Sequence, residues 1–392
     1  MSVDIRGMQS ELRKAKLDGW LFYDFRGRDP IALSILQLPA GMRTRRWFYF
    51  VPAKGTPRKL VHKIETEALG AVPGQTLYYA GQDELRKNLR SILRGAKKVA
   101  MQYSPKNEIP YVAMVDAGTV ELVRGAGAKV VSSADLVQKY EACWSAAQLE
   151  SHRAAATAID KIVAGAFRHA ANCVQEKKTL TEYDLQSWIR KKFEAAGIFA
   201  AEGPDVAVGA NASDPHYAPS KEKSAPIRQG DFLLLDVWGK MKTPGSVYYD
   251  ITWVGYLGAK VPEKYAKIFA IVREARDKAV DLIRSSIAAG KPLQGWQVDK
   301  AARSVIEKAG YGKYFFHRTG HNIGETIHGT GANMDGLETH DVRHLIPLTC
   351  TSVEPGIYLR DFGLRSEVDV YIEEGKAWVT GAVQTEVLAL LA

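Results

Sequence analysis

FLLLDVWGKMKTPGSVYYDITWVGYL fills residues 232–257. A nearly unbroken apolar run carries one acid, Asp236, and the strand-like run that follows carries a second, Asp250. Burying a carboxylate alone is costly, so each must be paired or coordinated. Between them KMKTPGS supplies a Pro-Gly turn signal. A hairpin centred near Thr243 places each aspartate seven residues from its centre, so the two face each other on one side of a sheet. Directly opposed like charges destabilise a strand pair. The arrangement makes sense when cations lie between the carboxylates. Taken alone, the two aspartates also suit strand-end caps or salt-bridge partners.

The same theme recurs further along the chain. Glu354 ends the apolar run TCTSV and precedes the helix-breaking Pro355-Gly356. Glu367 lies in GLRSEVDVYI, where a period of two sets Arg365, Glu367 and Asp369 on one face and Leu364, Val368, Val370 and Ile372 partly on the other. For Glu367 the plain alternative is a solvent-facing acid on an edge strand. HRTGHNIGETIH, residues 317–328, gathers three of the nine histidines. His317 and His321 are spaced for one helix face, but Gly320 and Gly324 weaken a helix. A metal site, a proton relay and a substrate patch all fit the cluster. Two Asp, two Glu and one His carry four negative charges, which neutralise two divalent cations. Oxygen-rich ligation with one imidazole suits Mn, Co or Zn. Two such ions about 3.5–4 Å apart activate water and polarise a carbonyl, which is hydrolytic chemistry.

The rest of the chain fits a protein with room for such a site. Its 392 residues imply two or three domains. Three widely spaced cysteines argue against a disulfide framework and for a reducing compartment. No signal-peptide-like run opens the chain and no stretch approaches the ~18 apolar residues of a membrane span, so a cytoplasmic protein with no membrane partner is expected. The net charge of +9 comes from scattered Lys and Arg without a basic run, which argues against a nucleic-acid partner.

Residues 1–140 alternate between strand and helix patterns, with helices expected at 8–16 and over GQDELRKNLRSILRGA, a buried strand at WLFYDF and a strand ending in a turn at RRWFYFVPAKG. The character changes near residues 137–146, where a long helix begins that runs to about Gln175. Thr181 and Asp184 form a loose capping pair for a second helix, whose Leu185, Trp188, Ile189 and Phe193 share one face. Strands expected at DFLLLDVWG, VYYDITWVGYLG, TCTSVEPGIYL, FGLRSEVDVYI and KAWVTG, with two more helices near 262–289 and 297–309, complete an α+β second domain with an antiparallel sheet. Two helix-then-strand runs, starting near Gln148 and near Pro262, suggest a pseudo-repeat.

The order Asp236, Asp250, His321, Glu354, Glu367, set in GHNIG, SVEPGIY and GLRSE, resembles the dinuclear metallopeptidases of the pita-bread fold. That family includes methionine aminopeptidase, aminopeptidase P and prolidase, and also creatinase, which lacks the metals. The resemblance covers residues 141–392. Residues 1–140 resemble the creatinase-type N-terminal domain in general pattern. The proline-specific branch fits best, because it has histidines four before and seven after the ligand histidine, here His317 and His328, and an upstream histidine, here His216 in ASDPHYAPS.

The resemblance implies an α/β domain followed by a catalytic domain with a curved antiparallel sheet. It implies two ions, manganese foremost and cobalt or zinc as alternatives, bound by the five residues named, with Asp250 and Glu367 bridging. Glu354 would also be the general acid/base for a metal-bridging hydroxide. His216, His317, His328 and Arg365 would bind the substrate, and His317, His328 and Tyr358 would join Glu354 in catalysis. The implied reaction is cleavage before proline in Xaa-Pro dipeptides, by a homodimer. The alternatives are an aminopeptidase P acting on longer peptides, a metal-free creatinase-like hydrolase and a non-catalytic binding protein. His340 and His344 match nothing in the pattern and are taken as structural. Three departures stand out. The aspartates are fourteen apart where a shorter hairpin is usual, Trp253 stands where a basic residue is common, and Val368 where a polar one is.

Overall fold

The computed structural model describes residues 3–39, 41–70 and 72–392. Its chain divides into two compact units, Met1–Glu141 and Ala142–Ala392. Among the described residues no helix is long and apolar enough to cross a membrane.

The first unit runs α1 (Ile5–Lys14), β1 (Gly19–Asp24), α2 (Pro30–Ile35), β2 (Trp47–Pro52), β3 (Arg58–His62), β4 (Gln75–Tyr79), α3 (Gln82–Ile92), β5 (Lys98–Met101), α4 (Ala117–Gly125), β6 (Lys129–Ser132) and α5 (Ala134–Val137). Its mixed sheet has the order β4-β3-β2-β1-β5-β6. Every residue of β1 is buried. Trp20 and Phe22 pack with Met8 and Leu12 of α1, while Leu21 and Tyr23 pack with Leu85 and Leu89 of α3. A strand covered on both faces needs a continuous apolar run, which is why GWLFYD shows no alternation.

The second unit opens with α6 (Ala146–Gln175), started by a capping box of Ser145 and Gln148. In α7 (Glu182–Ala196) Thr181 and Asp184 close a full capping box rather than a loose pair. Leu185, Ile189 and Phe193 are buried, whereas Trp188 is half-buried and stacks on His169. There follow β7 (Ile198–Phe199), β8 (Asp205–Val208), β9 (Phe232–Met241), β10 (Tyr249–Tyr256), α8 (Glu263–Ala288) and α9 (Gly295–Lys308). The chain ends with β11 (Asn322–Ile323), β12 (Thr349–Val353), β13 (Gly356–Tyr358), β14 (Gly363–Arg365), β15 (Val368–Glu373), β16 (Lys376–Val379) and β17 (Leu388–Ala389). Two helices followed by an antiparallel strand pair thus occur twice, as α6–α7 before β9–β10 and as α8–α9 before β12–β15.

Strand β9 is the central element. Leu233, Leu235 and Val237 pack with Ile159 of α6 and Leu185 and Ile189 of α7. Phe232 and Leu234 join Val272 of α8 and Val298 of α9. Asp236 shares the parity of Phe232 and Leu234 and so lies on their face. A one-residue slip would move it to the other face, so both cores fix the register.

Two expectations from the sequence are corrected here. First, Asp236 and Asp250 are not directly opposed. Asp236 pairs with Thr252, and Asp250 pairs with Trp238, so the two acids sit diagonally on one face. The hairpin is centred on Pro244 rather than Thr243. Ser246 N–H bonds Thr243 C=O, with Gly245 at φ 79°, and this turn with proline then glycine at its centre sets the pairing. Second, TCTSVEPGIYL and FGLRSEVDVYI are each broken. Glu354-Pro355 separates β12 from β13, and Ser366-Glu367 separates β14 from β15. Pro355 has no N–H for a ladder bond. The offset persists through the break, since Val353 pairs with Val368 and Gly356 with Arg365, which brings Glu354 opposite Glu367.

A single buried acid ties the loop before β9 to this frame. Glu182 is fully buried at the start of α7. Its Oε1 accepts from Val208 N at 2.7 Å, its Oε2 from Tyr217 OH and Ala225 N at 2.7 Å each, and Asn211 Nδ2 reaches both oxygens at 3.0 Å. Glu182 thereby fixes the end of β8 and the segment carrying His216. Glu182→Ala leaves several buried donors without an acceptor, at about 3 kcal/mol. The expected result is a lower denaturant midpoint for the variant, and an unchanged midpoint would remove Glu182 from this role.

Candidate active site

The five residues expected to hold metal come from five places in the second unit. Asp236 and Asp250 come from β9 and β10, His321 from the residue before β11, and Glu354 and Glu367 from the two strand breaks. His321 Nε2 lies 3.6 Å from Asp250 Oδ2 and 3.5 Å from Glu354 Oε1. Ligand atoms of Asp250, His321 and Glu367 all lie within 4.8 Å of one another, and all three side chains are buried. Burial lowers the pKa of His321 to about 4, so its imidazole is neutral, the form that binds metal.

The carboxylates around it are in electrostatic conflict. Burial, then the charges of Asp236 and Glu354, hold Asp250 well above the usual carboxylate range. Burial, then Asp250, does the same to Glu367. Glu367 Oε2 accepts from Thr252 OH at 2.7 Å, but its Oε1 and Asp250 Oδ1 are buried without a partner. Buried polar atoms are rarely left so. Two orphaned oxygens beside a neutral imidazole and further carboxylates fit a pair of divalent cations, whose charge reverses this pKa logic.

Close packing holds the cluster. Ser352 Oγ accepts from His321 N at 3.0 Å and bonds Glu354 Oε1 at 3.2 Å. Gly320 makes this approach possible, since a Cβ there would lie 2.0 Å from Ser352 O. Gly324 meets nothing closer than 3.9 Å, so of the two glycines flanking His321 only Gly320 is required for close approach. Asp250 N donates to Asp369 Oδ2 at 2.9 Å. Behind Asp369 lies His152, 3.9 Å away, which bonds Tyr248 O and Thr380 Oγ1.

Arg365 sits among the acids rather than apart from them. It donates to Asp236 Oδ2, to Thr252 Oγ1 at 2.9 Å and to Tyr358 OH at 2.9 Å, and it lies 3.8 Å from Glu354. Tyr358 OH in turn meets His317 Nε2 at 2.8 Å, and His317 Nδ1 meets Arg318 O at 2.7 Å. The carbonyl requires the proton on Nδ1, so Nε2 accepts from the tyrosine. Burial lowers His317 to about 3 and raises Tyr358 to about 12, so both are neutral. His328 stands edge-on to His321 with ring centroids 4.4 Å apart, and burial lowers it to about 3. His216 is exposed and acts electrostatically on both Asp236 and His328. The expected substrate residues therefore border the same cluster. His340 instead stacks on Trp296.

Sequence reasoning missed Glu182, Asp205, Thr252, Ser352 and His152, and gave Asp369 a face but no role. Asp205 stands directly opposite Asp236 across the β8–β9 pair. Its signal was an acid opening the apolar run VAV.

The sequence profile of metallopeptidase family M24 matches residues 150–374. A Mycoplasma pneumoniae protein assigned as an Xaa-Pro aminopeptidase is 31% identical over 212 residues, 52% of this chain and 54% of its own. This chain thus spans about half the length of that relative. A Mycobacterium tuberculosis protein assigned as the dipeptidase PepE is 27% identical over 334 residues, 83% of this chain and 81% of its own. Among solved structures, dipeptidase PepE from Mycobacterium ulcerans superposes with a TM-score of 0.71 at 24% identity, covering 98% of this chain and 96% of that one. The prolidase from Thermococcus sibiricus gives 0.63 at 21% identity, covering 99% of each. The chain has the pita-bread fold and belongs to metallopeptidase family M24.

Proposed function

We propose that this protein hydrolyses the peptide bond preceding proline, foremost in Xaa-Pro dipeptides. The observation that carries the reading is the pair of orphaned buried oxygens, on Asp250 and Glu367, beside the neutral imidazole of His321. The names of the relatives, dipeptidase, prolidase and Xaa-Pro aminopeptidase, support the substrate class. Asp236, Asp250, His321, Glu354 and Glu367 would hold two divalent ions, manganese foremost and cobalt or zinc as alternatives. Asp250 and Glu367 would each offer the ions a buried oxygen that has no other partner. When bound, such ions polarise the scissile carbonyl and acidify a water to near neutral pH.

The chain's own groups supply the rest. Glu354, held by Ser352, takes a proton from the attacking water and returns it to the departing proline nitrogen. That nitrogen carries no hydrogen before cleavage, so the site needs no acceptor for it. His216, His317 and His328 line the substrate and orient its carbonyl or the proline carboxylate. Arg365 and Tyr358 hold Asp236 and His317 in place. Three cysteines set far apart in the sequence, Cys143, Cys173 and Cys350, suit a reducing, cytoplasmic setting. A homodimer is the form proposed.

The alternative is an aminopeptidase P acting on longer peptides, which the name of the mycoplasma relative favours. With manganese added, a dipeptide Xaa-Pro should be cleaved at least tenfold more efficiently than the tripeptide Xaa-Pro-Xaa. The reverse order assigns the aminopeptidase. Complete chelation of metal should abolish cleavage, with activity returning on readdition, and full activity after verified metal removal would sink the reading. Glu354→Gln should lower kcat by about 10²–10⁴ while circular dichroism stays unchanged. Turnover at the wild-type rate would contradict its role.

A further inference from the structure

Asp205 is an acid at the border of the cluster that the hydrolytic scheme does not use. Val206 and Val208 pack with the α6–α7 core, and Ala207 packs with Leu234 in the other core. Alternation along β8 therefore puts Asp205 on the face of Ala207, the face that carries Asp236. Pairing places it directly opposite Asp236. Because β9 lies between β8 and β10, Asp205 stands on the side of Asp236 away from Asp250. It is one strand spacing, about 4.8 Å, further out from the centre of the cluster.

Its surroundings leave its charge unbalanced. Directly opposed like charges repel. Asp236 has Arg365 as partner, whereas the Asp205 carboxylate makes no hydrogen bond or ion pair among the described residues. Of the two arginines near enough to act on it, Arg365 is committed to Asp236, Thr252 and Tyr358, and Arg190 donates its Nε to Gly203 O and makes no ion pair with Asp205 among the described residues. Asp214 adds a further negative charge nearby. The residue is half-buried, so a ligand can reach it.

We propose that Asp205 selects substrates whose first residue carries a cationic side chain. The inference rests on the proposed cleavage after a first residue. In such a substrate the α-ammonium lies one carbon from the scissile carbonyl and stays within reach of Asp236 itself. A carboxylate one strand further out is matched by a cation at the end of a longer side chain, as in lysine or arginine. Placing an apolar side chain there would leave this carboxylate desolvated and unpaired, which is unfavourable.

The test compares Lys-Pro with norleucyl-Pro, which has a similar chain without the ammonium, on the manganese-loaded full chain. Wild type should show a kcat/KM for Lys-Pro at least tenfold above that for norleucyl-Pro. Asp205→Asn should bring the ratio below about threefold, and Asp205→Lys should reverse it in favour of Glu-Pro over Lys-Pro. A wild-type ratio near one overturns the proposal, as does a ratio that Asp205→Asn leaves unmoved because all substrates weaken alike. Calorimetric affinities for the two dipeptides, measured on Glu354→Gln, read the same preference without turnover. Equal affinities there overturn the role of Asp205 even in an active enzyme. A tenfold preference for Lys-Pro in binding, with no Xaa-Pro cleavage by wild type, supports Asp205 and counts against the hydrolytic reading alone.

Discussion

Repulsion among buried carboxylates is the constraint on which this structure turns. Asp236, Asp250 and Glu367 are all pushed above their usual pKa, Asp236 by burial, and Asp250 and Glu367 by burial and then by the neighbouring carboxylates. Left to relax, they would separate toward water. They stay together because each is anchored on an element whose other face is committed to a core. Strand β9 is gripped between the α6–α7 cluster and the α8–α9 cluster, and the β12–β15 pair packs into the latter. Large apolar cores on both sides offset the electrostatic cost of the site.

The two strand pairs hold their acids differently. In β9–β10 the aspartates are diagonal, so Asp236 lies toward one edge and Asp250 toward the middle. In the broken pair the glutamates are opposed, at the point where ladder pairing lapses. A break frees the backbone from strict pleating, so both glutamate side chains can turn toward one centre. Asp250 and Glu367 converge with His321, whereas Asp236 takes the guanidinium of Arg365. Asp236 thus has a cation of the protein beside it, whereas Asp250 and Glu367 each keep a buried oxygen without a partner.

Much of this was legible in the residues. An aspartate inside FLLLDVWG announces a compensated carboxylate, and TPGS announces the turn. The diagonal offset was not legible, because symmetry about KMKTPGS gives one register while the Thr243–Ser246 turn sets another. The strand breaks were hidden because residues on both sides are apolar and read as continuous. Glu182 looked like an ordinary first-turn acid, and its acceptor role depends on partners 26 to 43 residues away. Asp205 gained meaning only from its cross-strand partner, and pairing between segments is the information a local pattern lacks. His152 and Asp369 belong to the same class, joined across more than 200 residues by folding.

HRTGHNIGETIH divides by what each imidazole touches. His321 meets two carboxylates, His328 packs against His321, and His317 meets a tyrosine. Burial keeps all three neutral, which a set of cations would require, because protonated imidazoles would compete for the same acids. The proton on His317 is fixed by a backbone carbonyl, so Arg365 donates to Tyr358 and Tyr358 to His317, while the same guanidinium donates on its other side to Asp236. A change of charge at Asp236 would therefore be felt at His317 through hydrogen bonds whose polarity is set. On the proposed reading, cation binding at Asp236 and substrate orientation at His317 would be linked by this chain, whose integrity depends on Tyr358 having no other acceptor for its proton among the residues described.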